Sequence, residues 1–272
     1  YALNSGVPVV LDMIDSMQLN FLRRTQNEKN YFVRKFYSYE LDRVMTYENN
    51  LPDNVIKTLF VAEKDSREIL SKKEVVSLGI DTHKFCPTPK ENKKTIIFSG
   101  NMAYAPNIQA VRWFLDHCFY EICEKADNDV SFLIAGINPS QEILSYQSAN
   151  IIVTGYVDSM AEVISRSSVS IAPMQSGSGM QNKILEAMAC EVPVVTTTLG
   201  LGDIKALPDK EVIVKESPEQ FIDAVLDILN FDDKYFELSK SARKFVIDNH
   251  SWQEHALTVA KIYNEAAGNK SF

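Results

Sequence analysis

The sequence lacks an excess of basic residues and lacks any long hydrophobic run. Its 272 residues include 28 lysines and arginines against 36 aspartates and glutamates, which gives a net charge of −8. Such a chain does not attract a nucleic-acid backbone through its general surface, so we expect no nucleic-acid partner. A local basic pocket for a small phosphate ligand is compatible with this charge. No apolar stretch approaches the roughly 20 residues of a membrane-spanning helix.

Cysteine is scarce and follows no metal-binding pattern. The four cysteines are Cys86, Cys118, Cys123 and Cys190, without C-x-x-C spacing or a histidine pair, so we expect no metal site. Cys118 and Cys123 lie in an apolar-periodic stretch and Cys190 follows another, which predicts three buried thiols and a loop position for Cys86. Free thiols are typical of a reducing compartment, and we expect a cytoplasmic protein.

After residue 95 the chain alternates short apolar runs with stretches of helical spacing. The predicted strands cover 95–99, 130–135, 151–154, 169–173, 192–197 and 211–214, and the predicted helices cover 110–122, 161–167, 183–189 and 221–229. This alternation predicts βαβ units with right-handed crossovers and a mostly parallel sheet covered on both faces. We therefore predict an α/β, Rossmann-like doubly wound domain over 95–250, followed by a C-terminal helix over 251–272.

The first 90 residues follow the same logic with fewer elements. Strands are predicted over 7–13, 57–62 and 74–78, and helices over 26–43 and 64–70. This is too little for a complete α/β domain, and the chain does not begin with methionine. We therefore expect residues 1–85 to be the end of an incomplete N-terminal domain of a longer protein. The charged, proline-containing segment 86–94 is the predicted linker, and 82–94 is a predicted hinge.

A glycine-containing turn between a predicted strand and a predicted helix is the most informative local feature. Its candidate binding residues are Gly177, Ser178, Gly179 and Met180 in the turn, and Lys183 and Glu186 in the helix. Small residues let backbone N–H groups approach an anion, and a helix N-terminus adds partial positive charge, so the turn suits a phosphate beside Lys183. A carboxylate one turn further on could accept hydrogen bonds from ribose hydroxyls. The plainer alternative is a surface loop with a solvated lysine and glutamate.

Two further turns follow predicted strands of the same sheet. Gly100 and Asn101 follow the first strand of the domain, and Tyr156 and Val157 follow the third. Ligands of open α/β sheets bind at the carboxyl ends of strands, so these residues are candidates, although Tyr156 could equally be a packing residue. A G-x-G-x-x-G fingerprint is absent, which disfavours a dinucleotide coenzyme.

Carboxylates with acid–base potential occur near the start of the chain. Asp12 and Asp15 follow the first predicted strand and could face a cleft, where Asp15 would orient substrate hydroxyls; an aspartate before a serine is also a common helix cap. The four histidines, at 83, 117, 250 and 255, are scattered without a nucleophile elbow. Hydrolase chemistry therefore has no support.

The string GSGMQNKILEAMACEVPVV over 177–195 resembles the donor-site signature of the GT-B glycosyltransferases of family 4. Members often read G-S-G-x-R-x-K-x-x-E-A-M-A-x-x-x-P-V-V at this place. The segment SLGIDTHKF over 77–85 is similar to the interdomain segment of that family. Further matches are Phe98-Ser99-Gly100 with Pro106-Asn107, Gly155-Tyr156-Val157, Ile171-Ala172-Pro173 and Ser251-Trp252.

The resemblance implies a retaining, metal-independent transferase that moves a hexosyl or related sugar from a UDP- or GDP-linked donor to a saccharide or lipid-linked acceptor. The donor is then a substrate, and no cofactor is implied. Residues 177–180 would hold the diphosphate and sugar, with Lys183 on the phosphates, Glu186 on the ribose, and Tyr156 and Val157 at the base. Gly100 and Asn101 would approach from the facing turn, and the catalytic residues would be Lys183 and Asp15. The implied setting is cell-surface polysaccharide biosynthesis, with peripheral contact to the inner face of the membrane in the full-length protein.

Two positions depart from the pattern of the family. Ser178 stands where many members carry the first glutamate of an E-x7-E motif, and Gln181 stands where a basic residue is common. The role of that glutamate beside the transferred sugar must therefore pass elsewhere or be lost. This leaves open a nucleotide-sugar-binding or partner-stabilising domain without turnover. A nucleotide-sugar epimerase of the same architecture is a weaker alternative, because its acid–base carboxylates and histidines cannot be assembled here.

Overall fold

The computed structural model describes residues 6–14, 16–28, 30–66, 72–89, 94–127, 129–177, 180–230 and 232–268. The chain divides into two compact units. The smaller unit comprises Tyr1–Gly79, Ser178–Met180 and Gln253–Phe272, and the larger one comprises Ile80–Gly177 and Gln181–Trp252. Within the described ranges, no helix combines the length and the hydropathy that a bilayer span requires.

Nine strands and eleven α-helices are defined in the described part of the chain. The strands are β1 (Val10–Ile14), β2 (Lys57–Phe60), β3 (Lys73–Val75), β4 (Lys94–Ser99), β5 (Val130–Ala135), β6 (Ile151–Gly155), β7 (Val169–Ala172), β8 (Val194–Thr196) and β9 (Ile213–Val214). The helices are α1 (Met17–Asn27), α2 (Tyr31–Asn54), α3 (Ala105–Phe114), α4 (Tyr120–Lys125), α5 (Gln141–Ser145), α6 (Met160–Ser165), α7 (Asn182–Ala189), α8 (Thr198–Leu201), α9 (Pro218–Asn230), α10 (Phe236–His250) and α11 (Trp252–Ala266).

The larger unit contains a six-stranded parallel sheet with the order β6-β5-β4-β7-β8-β9. The chain builds outward from β4 through β5 to β6, then returns to the other side of β4 and builds outward again. The order therefore reverses between β4 and β7, which is the topological switch point where ligands of doubly wound sheets bind. This confirms the predicted fold class.

A continuous apolar stripe on one side of this sheet runs through α3, a π-helical turn (Leu115–Phe119) and α4. The seven residues predicted to share one helix face are all buried: Ala110, Val111, Phe114, Leu115, Cys118, Phe119 and Ile122. They recur every four residues, whereas an α-helix turns every 3.6, so a regular helix would rotate the later ones away from the core. The wider π turn corrects this drift and keeps the whole stripe on the sheet.

The smaller unit contains a three-stranded parallel sheet with the order β1-β2-β3. Ile262 of α11 packs with Leu59 of β2 and with Val76, and this cluster is the core of the sheet on that side. After β1 the chain forms two adjacent helices, α1 and α2. The Glu48 carboxylate of α2 is buried and holds the first turn of α1, so the two helices are joined by charge-assisted hydrogen bonds as well as by packing.

The predictions for this smaller unit were wrong in several places. The helix predicted over 26–43 is two helices, because the Asn30 side chain accepts hydrogen bonds from the backbone N–H groups of Phe32 and Val33 and starts α2 afresh. The first strand spans Val10–Ile14, which begins three residues later than predicted, and Asp12 lies inside this strand and does not follow it. Of the helix predicted over 64–70, residues 64–66 belong to a 3₁₀ turn at Glu63–Ser66, and 67–70 lie outside the described residues.

In the larger unit the corrections are smaller. Lys94, predicted as the end of the linker, is the first residue of β4, and the short helices α5 and α8 were not predicted. α10 ends at His250 and α11 begins at Trp252, one residue after the predicted start of the C-terminal helix. Cys118, Cys123 and Cys190 are buried free thiols, as predicted, and Cys86 is half-buried in a loop.

Candidate functional site

Glycine turns at the carboxyl ends of β4, β5 and β6 pack directly on one another. The Gly100 N–H donates to the Ala135 carbonyl at 2.9 Å, and the Gly136 N–H donates to the Gly155 carbonyl at 3.2 Å. A Cβ atom at Gly136, where φ is +141°, would lie 1.8 Å from the Gly100 carbonyl oxygen. Only glycine fits there, and it holds the Gly100 backbone at the switch point.

Lys183 provides a buried ammonium group at the edge of the sheet where the carboxyl ends of the strands lie. It is the second residue of α7, and its side chain is 7% exposed. The Nζ atom donates to Asn107 Oδ1 at 2.6 Å, and it lies 4.0 Å from the centroid of the Phe98 ring and 4.0 Å from Met174 Sδ. Phe98 is on β4 and Met174 follows β7, so the ammonium sits between the two strands that flank the switch point.

Asn107 joins Lys183 to the turn after β4. Its amide Nδ2 donates to the Asn101 carbonyl at 2.9 Å, and the Asn101 side-chain oxygen accepts from the Ala103 N–H at 3.0 Å. A Cβ atom at Gly100 would lie 2.7 Å from Asn107 Nδ2 and 3.4 Å from Lys183 Nζ. Gly100, Asn101 and Lys183, predicted separately, are therefore brought together through Asn107.

Asn107 was not predicted as a site residue, although Pro106-Asn107 is part of the family resemblance. A signal was present in the sequence, because Asn107 extends the buried stripe of α3 by one turn before Ala110, Val111 and Phe114. A polar residue on an apolar helix face needs a hydrogen-bond partner, and such residues mark candidate sites.

Burial shifts the pKa values of both Lys183 and Glu186. Burial lowers the pKa of the Lys183 ammonium to about 7, against a smaller effect of the Glu186 charge that raises it. Burial also raises the pKa of the Glu186 carboxyl, while the charges of Lys183 and Lys84 lower it. An anion bound beside Lys183 would favour the charged form of its ammonium. The N-terminal dipole of α7 would in turn attract that anion.

The remaining predicted site residues are placed as follows. Gly177 has φ of +119° and would place a Cβ atom 3.4 Å from Pro106 Cβ, so the start of the turn lies against α3. Tyr156 follows β6 with its side chain 74% exposed, and Val157 beside it is half-buried. Met180 is half-buried. Ser178, Gly179 and Asp15 lie outside the described residues.

The hydroxyl groups of Thr196 and Thr197 at the end of β8 were not predicted as part of the site. Thr196 Oγ1 donates to the Ala172 carbonyl at 2.8 Å, and Thr197 Oγ1 donates to the Met174 carbonyl at 2.9 Å. Thr197 also caps α8, accepting from the Gly200 N–H at 3.1 Å. These bonds fix the segment after β7, which places Met174 against Lys183.

The arrangement as a whole suits an anion. The switch point offers one buried ammonium with a neutral partner, the N-terminal turn of α7 and glycine backbones that a ligand can approach closely. Helix N-termini with nearby lysine are recurrent phosphate sites.

The family model described as Glycosyl transferases group 1 matches residues 93–230 of this chain. These residues include the whole of the edge described above, from β4 to α9.

One relative and two solved structures resemble the chain over more residues than the family model covers. The chain is 19% identical over 239 residues to a Klebsiella pneumoniae protein named "Uncharacterized 44.6 kDa protein in cps region", which covers 82% of this chain and 60% of that protein. HepE of Anabaena, solved in complex with UDP, has a TM-score of 0.73 at 10% identity and covers 95% of this chain and 72% of HepE. A TarM variant of S. aureus, solved with fondaparinux, alpha-GlcNAc-glycerol and UDP, has a TM-score of 0.67 at 17% identity and covers 82% of this chain and 46% of TarM. The chain therefore spans about half of TarM and 60% of the Klebsiella relative.

Proposed function

The chain belongs to the family Glycosyl transferases group 1 and has the GT-B fold, and we propose that it is part of an enzyme that transfers a hexosyl or related sugar from a nucleoside diphosphate to a saccharide or lipid-linked acceptor. The observation that carries this proposal is Lys183, which stands buried at the switch point with a neutral hydrogen-bond partner. HepE and TarM have been solved with UDP, so UDP is the first nucleotide to test and GDP the second.

The proposed donor site assigns a role to each predicted residue. Lys183 and the N-terminal turn of α7 bind the diphosphate, and Gly100 and Asn101 approach it from the facing turn. Glu186 accepts hydrogen bonds from the ribose, and Tyr156 and Val157 contact the base. Residues 177–180 hold the sugar end of the donor, which is a substrate, so the proposal includes no cofactor.

The chemistry that these residues can support is stabilisation of a leaving group. The bond between the anomeric carbon and the diphosphate oxygen breaks, and its electron pair leaves with the diphosphate. The acceptor hydroxyl oxygen forms the new bond to the anomeric carbon, and its proton passes to the departing diphosphate. Lys183 and the helix dipole stabilise the developing negative charge, as preorganised donors do in other transfer reactions. We propose that transfer retains the anomeric configuration and uses no metal, as the family resemblance implies, and that Asp15 orients the acceptor hydroxyl.

The second candidate is a nucleotide-sugar-binding domain that stabilises a partner without turnover. Ser178 and Gln181 favour it, because the positions they occupy often carry charged residues in the resembling family. Both candidates require nucleotide binding, so only a transfer or donor-hydrolysis assay separates them.

Calorimetric titration with UDP, GDP and ADP tests the shared part of both candidates. One nucleotide should bind at micromolar strength, and Lys183→Met and Glu186→Ala should each weaken it about tenfold, the scale of a lost charged hydrogen bond. Lys244→Met is the matched control, because that side chain is 76% exposed and pairs within its own helix with Asp248. A folded chain that binds none of the three nucleotides would contradict the proposal.

We further propose that the protein works in cell-surface polysaccharide synthesis in the cytoplasm, at the inner face of the membrane. The Klebsiella relative is named for its cps region. On α2, Phe32, Phe36 and Tyr39 are 80%, 58% and 62% exposed on one face, with exposed Lys35 and Arg43 beside them. Aromatic and basic residues on one helix face suit an anionic bilayer surface. The protein should co-sediment with vesicles that contain anionic lipid, and the double variant Phe32→Ser with Phe36→Ser should not. If the wild-type protein stays in the supernatant with anionic vesicles, the membrane contact is contradicted.

A further inference from the structure

Arg243 of α10 donates hydrogen bonds to carbonyl groups of two separate segments of the larger unit. Its Nη1 atom donates to the Phe85 carbonyl at 3.1 Å and also to the Ala189 carbonyl, and its Nη2 atom donates to the Thr82 carbonyl at 3.3 Å. The Nε atom lies 3.8 Å from Glu191 Oε1, and the side chain is 19% exposed. A guanidinium presents its five donors in a fixed fork, so it can hold these acceptors in one geometry.

The first segment that Arg243 holds is the end of the helix that carries the donor-site residues. Ala189 is the last residue of α7, which also bears Lys183 and Glu186. A cation at the C-terminus of this short helix complements its dipole and satisfies a terminal carbonyl. Arg243 therefore fixes the position of α7 from the end opposite the proposed diphosphate.

The second segment that Arg243 holds is 82–85. The Thr82 and Phe85 carbonyls accept hydrogen bonds from the same guanidinium as the Ala189 carbonyl. This segment is therefore fixed against the C-terminal turn of α7, where Glu186 lies.

We propose that Arg243 is a positioning residue for the ribose contact of Glu186: its guanidinium holds the segment 82–85 against the C-terminal turn of α7, the turn that carries Glu186. This inference rests on the proposed function, because it takes a nucleoside diphosphate as the ligand. Arg243 does not touch the nucleotide in this scheme and acts through Glu186.

The test compares UDP with 2′-deoxyuridine diphosphate, which lacks one ribose hydroxyl. Wild-type chain should prefer UDP, and Glu186→Ala should abolish the preference. Arg243→Met should weaken UDP binding roughly tenfold, the scale of one charged hydrogen bond, and should weaken the binding of 2′-deoxyuridine diphosphate much less. Arg243→Lys keeps the charge without the fork and should not restore the preference, and Lys244→Met should match wild type.

Hydrogen exchange of the unliganded chain provides a readout that is independent of nucleotide. Arg243→Met should exchange faster at 80–89 while the central strands stay protected, which also shows that the variant folds. If wild type and its variants other than Glu186→Ala discriminate between the two nucleotides equally, the inference is overturned and the proposed function stands. If wild type binds neither nucleotide, both are overturned.

Discussion

The Lys183 ammonium lies 2.6 Å from the side-chain oxygen of Asn107, which is a neutral partner for a nearly fully buried cation. Asn107 satisfies one donor of Lys183 but does not compensate its charge. The Glu186 charge offsets the burial of this ammonium only in part, and an anionic ligand can supply the remaining compensation.

Replacing Asn107 with aspartate should weaken nucleotide binding. In Asn107→Asp a resident carboxylate pairs with Lys183, which raises the pKa of Lys183 and competes with a bound diphosphate. We expect UDP affinity to fall by at least about tenfold, the effect of one charged hydrogen bond. The carboxylate cannot donate to the Asn101 carbonyl as Nδ2 does, so this loss offsets the new ion pair and the midpoint of urea unfolding should change little. Asn107→Ala, the control, should lower both the urea midpoint and the UDP affinity. Unchanged UDP affinity in Asn107→Asp would show that Lys183 does not contact the phosphates.

Stability should depend on pH through Lys183. Its pKa is about 7 in the folded chain against 10.5 for an ordinary lysine, so the unfolded chain binds more protons between these values. The free energy of unfolding should therefore rise with pH from about 7 upward through the Lys183 contribution. Below pH 7 the buried ammonium destabilises the folded chain by its full amount. Lys183→Met should be more stable than wild type at pH 6 and should show a flatter profile between pH 6 and 8.5.

Buried thiols limit the pH range over which the effect of Lys183 on stability can be isolated. Above pH 8.5 the thiols of Cys118 and Cys190 also contribute, because burial raises the pKa of each to about 12. The comparison is therefore confined to lower pH. Parallel profiles for wild type and Lys183→Met in that window would mean that the ammonium is hydrated in solution.

Gly136→Ala should be far more damaging than Gly155→Ala. Both glycines have positive φ, but a Cβ at Gly136 meets the Gly100 carbonyl at 1.8 Å, whereas nothing lies within 4 Å of one at Gly155. Gly155→Ala should cost about 1 kcal/mol for the backbone conformation alone. Gly136→Ala should cost several times more in urea unfolding and weaken UDP binding, because Gly100 must move. Equal costs would contradict the packing of these two turns.

The end of α7 offers a test of backbone strain. Glu191 has φ of +55°, and the bonds from the Glu191 N–H to the Met188 carbonyl (3.1 Å) and from the Val192 N–H to the Ala187 carbonyl (3.0 Å) form a Schellman motif. Glycine is the usual residue at this position. Glu191→Gly and Glu191→Ala both lose the contact with Arg243, so the glycine variant should be the more stable by about 1 kcal/mol. An alanine variant of equal stability would rule out this conformation in solution.

In the smaller unit, Glu48→Ala should loosen α1. The buried carboxylate accepts hydrogen bonds from Ser16 Oγ at 3.0 Å and from the backbone N–H groups of Met17 at 2.8 Å and Gln18 at 3.3 Å. Losing them should cost about 2–3 kcal/mol in urea unfolding, since hydrogen bonds to a charged group are involved. Glu40→Ala on the same helix removes only a surface ion pair with Arg43 and should cost less than 1 kcal/mol. Similar costs for the two would refute the role of Glu48.

The elements of the larger unit could be predicted because its signals are local. Buried parallel strands such as β4 and β5 are short apolar runs, and the stripe from Ala110 to Ile122 shows one helix face directly. The helix predicted over 26–43 failed because a single capping residue, Asn30, divides it, and helical spacing does not reveal such a cap. The aromatic residues Phe32, Phe36 and Tyr39 of α2 are exposed, and its buried side chain among the described residues is Glu48.

Local patterns predict the alternation of strands and helices, the buried thiols and the glycine turns, because each depends on neighbours within a few residues. They also include Gly100, Asn101, Lys183 and Glu186 among the site candidates. The pairing of Asn107 with Lys183 depends on the tertiary structure, since 76 residues separate them and the strand order β6-β5-β4-β7 brings them to one edge. The lowered pKa of Lys183 depends on the tertiary structure as well, because desolvation acts through everything that surrounds the ammonium.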